Sequence, residues 1–293
     1  MTTAPRAARL LILILSWLLL ASIGHAETSV WKISKDNKTL YLAGTFHVLN
    51  STDHPLPTGF DQAYKASGKL IFETDLNATN SPEFQIKAAQ VMMFSDGRTL
   101  QSALKPATYK ALATYLTAHK MPPENFTMFT PTGAALMLSV LEYQRLGMSM
   151  EHGVESVFHS KAKADNKLTG FLETPDEQLQ FIAQMGKGEE DDMMLYTLRD
   201  LERSEALIGE MKSAWRTGNL AKLDQDSLLE LREKFPSSYK SMIVTRNENW
   251  LPHVEAMIAD PGTECVMVGA LHLAGPDGLI AKLRAKGYKI QQL

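Results

Sequence analysis

The sequence predicts an α/β protein, a small mixed β-sheet built from strands near the two ends of the chain with a large helical middle. Three observations predict it. Two apolar, β-prone runs, Leu40 to Phe46 and Val266 to Leu271, lie at opposite ends, and each closes on Gly-x-x-His. Uninterrupted runs of this length read as strands buried on both faces. Between them, capped and apolar-periodic stretches read as helices. Strands at both ends with helices inserted give an α/β organisation.

The elements follow in order. Ser29 to Ser34, a polar Lys35-Asp36-Asn37-Lys38 turn and the first apolar run form a β-hairpin. A loop punctuated by His54-Pro55-Leu56-Pro57-Thr58-Gly59 leads to a short helix ending near Ser67, and Lys69 to Leu76 is a strand. Ser81-Pro82 starts a helix, with serine as N-cap and proline in the first turn. Pro106 starts another, and Thr132 to Leu146 is a third, strongly apolar one. His152 to Ala164 is helical and Leu168 to Leu172 a short strand ending at Glu173. Thr174-Pro175-Asp176-Glu177 has the layout of a capping box. Polar helices run from Glu189 to Trp215 and continue to Ile258; Asp260-Pro261-Gly262 turns into the second apolar strand. A helix from Gly278 to Lys286 and a closing strand from Tyr288 to Leu293 end the chain. Residues 27–293 are expected to form one domain, with helical insertions over about 81–164 and 175–260.

Residues 1–26 have the layout of a secretory signal: Arg6 and Arg9, an apolar core from Leu10 to Leu20, then Gly24-His25-Ala26. The core is about half the ~20 residues that span a bilayer. Cleavage after Ala26, a periplasmic location and no stable membrane anchor afterwards are the expectations. Losing Arg6 and Arg9 leaves 28 basic against 33 acidic residues, a net charge of −5, which gives no reason to expect nucleic acid as partner. Cys265 is the only cysteine, so no intramolecular disulfide forms; inside an apolar strand it reads as a small buried hydrophobe.

The chemistry converges on few residues. A glycine where a strand ends lets backbone or ligand approach closely. The histidine then stands past the strand's carboxyl end, where open α/β sheets bind ligands. Two such endings point to one composite site holding His47 and His272. Glu73 and Asp75, two apart on an expected strand, project from the same face. Together they make a His/His/Glu/Asp set suited to Zn²⁺, Mn²⁺, Fe²⁺ or Co²⁺. Such an ion lowers the pKa of bound water from about 15.7 to around 7. Alternatively, the two acids are strand-end residues that bind backbone or an arginine. His152, Glu155 and His159 share a helix face by spacing but lack the His-Glu-x-x-His arrangement of zincins. Glu173 serves either the following helix start or the site. His54, His119 and His253 read as surface residues, and no Gly-x-Ser-x-Gly elbow or P-loop is present.

The ordered set Gly44-Thr45-Phe46-His47, Glu73-Thr74-Asp75 and Gly269-Ala270-Leu271-His272-Leu273 resembles the TraB/GumN family, also called TIKI/TraB. Gly153-Val154-Glu155, Gly170 to Thr174 and Arg246-Asn247 look like further landmarks of that family, so the resemblance runs from about Trp31 to Leu293. The family often carries aspartate at the position of Glu155. The resemblance implies a fold akin to erythromycin esterases and haem-binding ChaN-like proteins, and a metal-dependent hydrolase. His47, Glu73 and His272, with Glu155 as a further candidate, would hold the metal (Mn²⁺, Co²⁺ or Zn²⁺). Asp75 would orient ligands or water, and Arg246 would face the polarised carbonyl of a peptide or small-molecule substrate. Two rival readings are a haem- or iron-binding module and a non-catalytic accessory protein.

Overall fold

In the computed structural model, residues 27–293 are described; the leader-like stretch 1–26 lies outside the described residues. Six strands form one mixed sheet: β1 Val30–Lys35, β2 Lys38–Thr45, β3 Lys69–Phe72, β4 Leu168–Phe171, β5 Glu264–Gly269 and β6 Lys289–Gln292. Their order is β4-β3-β5-β2-β1-β6. The expected hairpin is present: β1 and β2 pair antiparallel, and Asp36 and Asn37 at the turn take positive φ. Two successive left-handed residues give the twist that a two-residue hairpin requires, and Asn and Asp tolerate them.

β4, β3, β5 and β2 run parallel, so their carboxyl ends share one edge. Thr45 lies opposite Gly269 in the β2–β5 register, which brings the two Gly-x-x-His stretches side by side although they are over 200 residues apart. The glycines are needed for this closeness. A Cβ on Gly44 would lie 3.1–3.2 Å from Leu273 and Ala270.

Helices cover both faces. One core cluster packs Phe60, Tyr64, Phe158, Trp215 and Met267 on one side of the sheet. The other packs Trp250, Val254, Ile258 and Leu283 beneath β2 and β5. A third cluster, around Leu112, Leu116 and Leu138, belongs to the helical part away from the sheet. Among the described residues no helix is long and apolar enough to cross a membrane.

Capping followed the sequence closely. Ser81 Oγ accepts from Phe84 N, and Thr174 and Glu177 form the reciprocal box. The polar helices expected from Glu189 to Trp215 are Glu190–Leu201 and Ser204–Arg216, separated at Glu202-Arg203. Two boundaries differ. His152 lies in a 3₁₀ turn before the helix α1, Val154–Ala164. β3 stops at Phe72, so Glu73 and Asp75 do not alternate along a strand.

Gly153, the N-cap of α1, touches the carbonyl of His47: a Cβ there would sit well inside contact distance of that oxygen. Its φ of −61° suits any residue, so the constraint is space alone. Gly153→Ala should therefore destabilise the fold by about 1–3 kcal/mol, the scale of forcing one carbon into a filled position. Urea unfolding measures this, and a loss below a few tenths of a kcal/mol would contradict the contact.

Candidate active site

Six side chains meet where β2, β3, β4 and β5 end, and three of them are joined by Arg246. It begins a helix, α2, Arg246–Ala259, directly after a π-helical turn, Lys240–Thr245. Wide π turns change which residues face inward. Here Arg246, Asn247 and Trp250 are all buried.

The Arg246 guanidinium is almost fully committed. Nη2 donates to Glu73 Oε2 and to Glu173 Oε1, each at 2.6 Å, and Nε donates to Glu173 Oε2 at 3.1 Å. Nη1 donates to His272 Nε2 at 3.0 Å. The cation also lies over the Trp250 ring, 4.5 Å from its centroid, and Trp250 Nε1 donates to Glu173 Oε2 at 3.1 Å. A planar fork suits such bidentate pairing where an ammonium would not. Glu73 is completed by Gly269 N, which donates to its Oε1 at 2.6 Å.

His272 is carried by a 3₁₀ turn, Ala270–Leu273, that folds it inward rather than leaving it at the sheet edge. Only 5% of it is exposed, and its ring lies 4.5 Å from Trp250. Asn247 Nδ2 donates to the carbonyls of His272 and Asp277, so Asn247 Oδ1 is the acceptor facing His272 Nδ1 at 2.8 Å. Arginine only donates. The tautomer is thereby fixed, with the proton on Nδ1 and the lone pair of Nε2 turned to Arg246. Burial lowers the His272 pKa to about 3, so the ring is neutral.

His47 has the opposite surroundings. Its side chain is 54% exposed, and Nδ1 lies 2.6 Å from Glu155 Oε1. Glu155 is itself buried on the first turn of α1 and accepts a hydrogen bond from Thr45 Oγ1. The Glu155 carboxylate raises the His47 pKa to about 9 against a weaker effect of burial. Glu73 shows the reverse balance: burial is the largest single effect and pushes its pKa up, but Arg246, the two histidines and the Gly269 N–H together outweigh it and hold the carboxyl well below its usual range. In Glu173 burial prevails, and the pKa is raised despite Arg246. His47 Nε2 and Glu73 Oε1 both crowd Gly269, 3.0 and 3.3 Å from where a Cβ would be.

The structure thus gathers His47, Glu73, His272, Arg246 and Glu155, and adds Glu173. Asp75 departs from its expected place: its carboxylate caps the next turn by accepting from Asn77 N and Ala78 N. Once β3 ends at Phe72, the two acids no longer share a face, and Asp75 has a structural partner of its own. His152 meets His54 edge-on, and His159 meets Phe72 edge-on. Neither contacts the central cluster's arginine or carboxylates. Asn247, Trp250 and Thr45 were not read from sequence as site residues. Trp250 stands at i+4 from Arg246, a helical spacing that places it on the same face.

The expected metal can be tested against this donor set. Both Glu73 oxygens and both His272 nitrogens already have partners, and one of those partners is a guanidinium. His47 Nε2 makes no hydrogen bond among the described residues, and Glu155 meets Thr45 and His47 through Oε1. Among the described residues no group of three or more His, Cys, Asp or Glu side chains is arranged to hold an ion. In this arrangement the residues do not fit a divalent metal.

Fold and site together define an α/β protein carrying an acid–base cluster at the carboxyl edge of its parallel strands. The chain belongs to the TraB/PrgY/gumN family, whose model matches residues 29–292. It is 26% identical over 252 residues to the uncharacterized protein YbaP of Escherichia coli K12, covering 85% of this chain and 89% of that one. The YbaP of Shigella flexneri matches with the same identity and coverage. No solved structure matches.

The buried neutral histidine sets a pH dependence. His272 has a folded pKa near 3 against an ordinary 6.5, so protonation favours the unfolded chain. Its contribution to stability is full above about pH 6.5 and is lost as pH falls towards 3. Melting temperature should fall with acid over that window more steeply in the wild type than in His272→Gln. Parallel curves would show that His272 is not the buried titrating group.

Proposed function

We propose that this protein is a hydrolase acting outside the cytoplasm, in the periplasm, on the carbonyl of a peptide or small-molecule substrate. Support for export comes from the signal-like composition of residues 1–26. The reading rests on one observation above the rest: a half-exposed His47, paired with a buried Glu155, stands beside the hydrogen-bonded Glu73–Arg246–Glu173–His272 network. An imidazole held by a carboxylate is a general base with its orientation fixed.

In this mechanism His47 Nε2 takes a proton from the attacking water and returns it to the leaving group. Glu155 holds Nδ1 and stabilises the imidazolium that forms. Glu73 lines the space in front of Gly269 and keeps its negative charge beside that imidazolium. Arg246 is a positioning residue, its fork fixing Glu73 and Glu173. One Nη1 hydrogen remains after its four bonds and is the group left to meet a developing oxyanion.

The test is a screen of the purified chain against a peptide library and an ester panel. His47→Ala should lower kcat/KM by about 10²–10⁴-fold, the usual worth of a general base, with unchanged circular dichroism. Because the base must be unprotonated, kcat/KM should rise with pH up to about 9. Glu155→Gln removes the charge that raises His47, so the rise should move to lower pH. Full activity in His47→Ala, or a profile that Glu155→Gln leaves in place, would overturn the reading.

A further inference from the structure

We infer that Arg246 occupies the cation position of this site, so that the guanidinium stands where a divalent metal would otherwise bind. The inference deepens the hydrolase reading and shares with it only the identity of the site residues.

The observations are geometric. Four donor groups face one another across the ends of β2, β3, β4 and β5: Glu73, Glu173, His272 and, at the open side, His47. Three of them direct lone pairs at the same three nitrogens, Nε, Nη1 and Nη2 of Arg246. Two carboxylates and an imidazole Nε2 of fixed tautomer, converging within 2.6–3.1 Å of one cation, are the donor types that hold Zn²⁺, Mn²⁺ or Co²⁺. The second layer also resembles that of a metal site. Asn247 orients His272 through Nδ1, and Gly269 N and Trp250 Nε1 orient the two carboxylates. The set is therefore organised around a positive charge, and the chain supplies that charge itself.

Nothing suggests that Arg246 can leave easily. It is 4% exposed, its Cζ lies 4.5 Å from the Trp250 ring centroid, and it is anchored where a π turn meets α2. A metal entering the wild-type site would have to strip the arginine from both carboxylates while adding two charges beside it. Wild type should accordingly hold no ion at this position, and hydrolysis should proceed in the presence of a chelator.

The experiment titrates Co²⁺ into full-length mature protein and reads its visible d–d absorption. Wild type should give no site-specific band. Arg246→Ala frees Glu73, Glu173 and His272 and should gain a one-equivalent band, with affinity raised by roughly 10–100-fold, the range over which neighbours tune a ligand set. Millimolar guanidinium should displace that Co²⁺, because it refills the arginine's place. Arg246→Lys keeps a cation and should bind no better than wild type. Should Arg246→Ala fail to fold, the pair Arg246→Met with Glu173→Gln removes the cation together with one buried carboxylate. It leaves Glu73, His272 and His47 as donors. A wild-type protein that binds one Co²⁺ and loses it in His272→Ala would overturn the inference. So would folded variants that bind no more Co²⁺ than wild type, or bound Co²⁺ indifferent to guanidinium. None of these readouts depends on turnover, so their failure is separate from a failure of the hydrolase screen.

Discussion

The buried guanidinium of Arg246 is the interaction on which the rest of the site depends. Removing a charge from water is expensive, and a buried ion pair is tolerated only when its geometry and remaining hydrogen bonds are good. Here those conditions are met through three elements at once. Glu73 comes from the end of β3, Glu173 from the end of β4 and His272 from the turn after β5. Taking away the arginine would strand two carboxylates, a change worth about 3–5 kcal/mol for a broken buried pair. The same bonds that balance the charge also tie neighbouring strand ends to one helix.

That helix reaches the sheet by an unusual route. The π turn over Lys240–Thr245 leads directly into Arg246, and Arg246 and the adjacent Asn247 are both buried. Both lie in the first turn of the α-helix, about 100° apart, and the buried face there is wide enough to take them both. Asn247 then bonds two carbonyls and the His272 ring. Two consecutive side chains of this helix thus serve the same buried site, one through the carboxylates and one through the histidine.

Much of this was legible in the sequence, for reasons that differ by residue. Leu40 to Phe46 and Val266 to Leu271 are apolar without interruption, and only a strand covered on both faces uses such a run. Ser81-Pro82 and Thr174-Pro175-Asp176-Glu177 carry their cap chemistry locally, so they could be read without knowing the fold. The end of β3 could not. Glu73 and Asp75 are separated by the spacing of a strand face. Whether the strand continues depends on Arg246 and Gly269 capturing Glu73, and both lie more than 170 residues away. Asn247 and Trp250 were invisible as site residues for the same reason, since their roles come from a histidine and a glutamate on other elements. The break at Glu202-Arg203 follows no proline or glycine and has no local signature.

The two Gly-x-x-His stretches show how far a shared motif determines chemistry. Both leave parallel neighbouring strands at the same edge, and their glycines admit the same close packing. Beyond the motif they diverge. After Thr45 the chain runs outward, leaving His47 at the surface against a buried carboxylate. After Gly269 it winds into a 3₁₀ turn, pressing His272 onto Trp250 under the arginine. The consequence is a pair of like residues with pKa values near 9 and near 3. Environments that push two titratable groups apart divide their labour. His272 remains a neutral acceptor over the whole physiological range and serves to place Arg246. His47, open to solvent and basic, is the one that can exchange a proton with anything that enters.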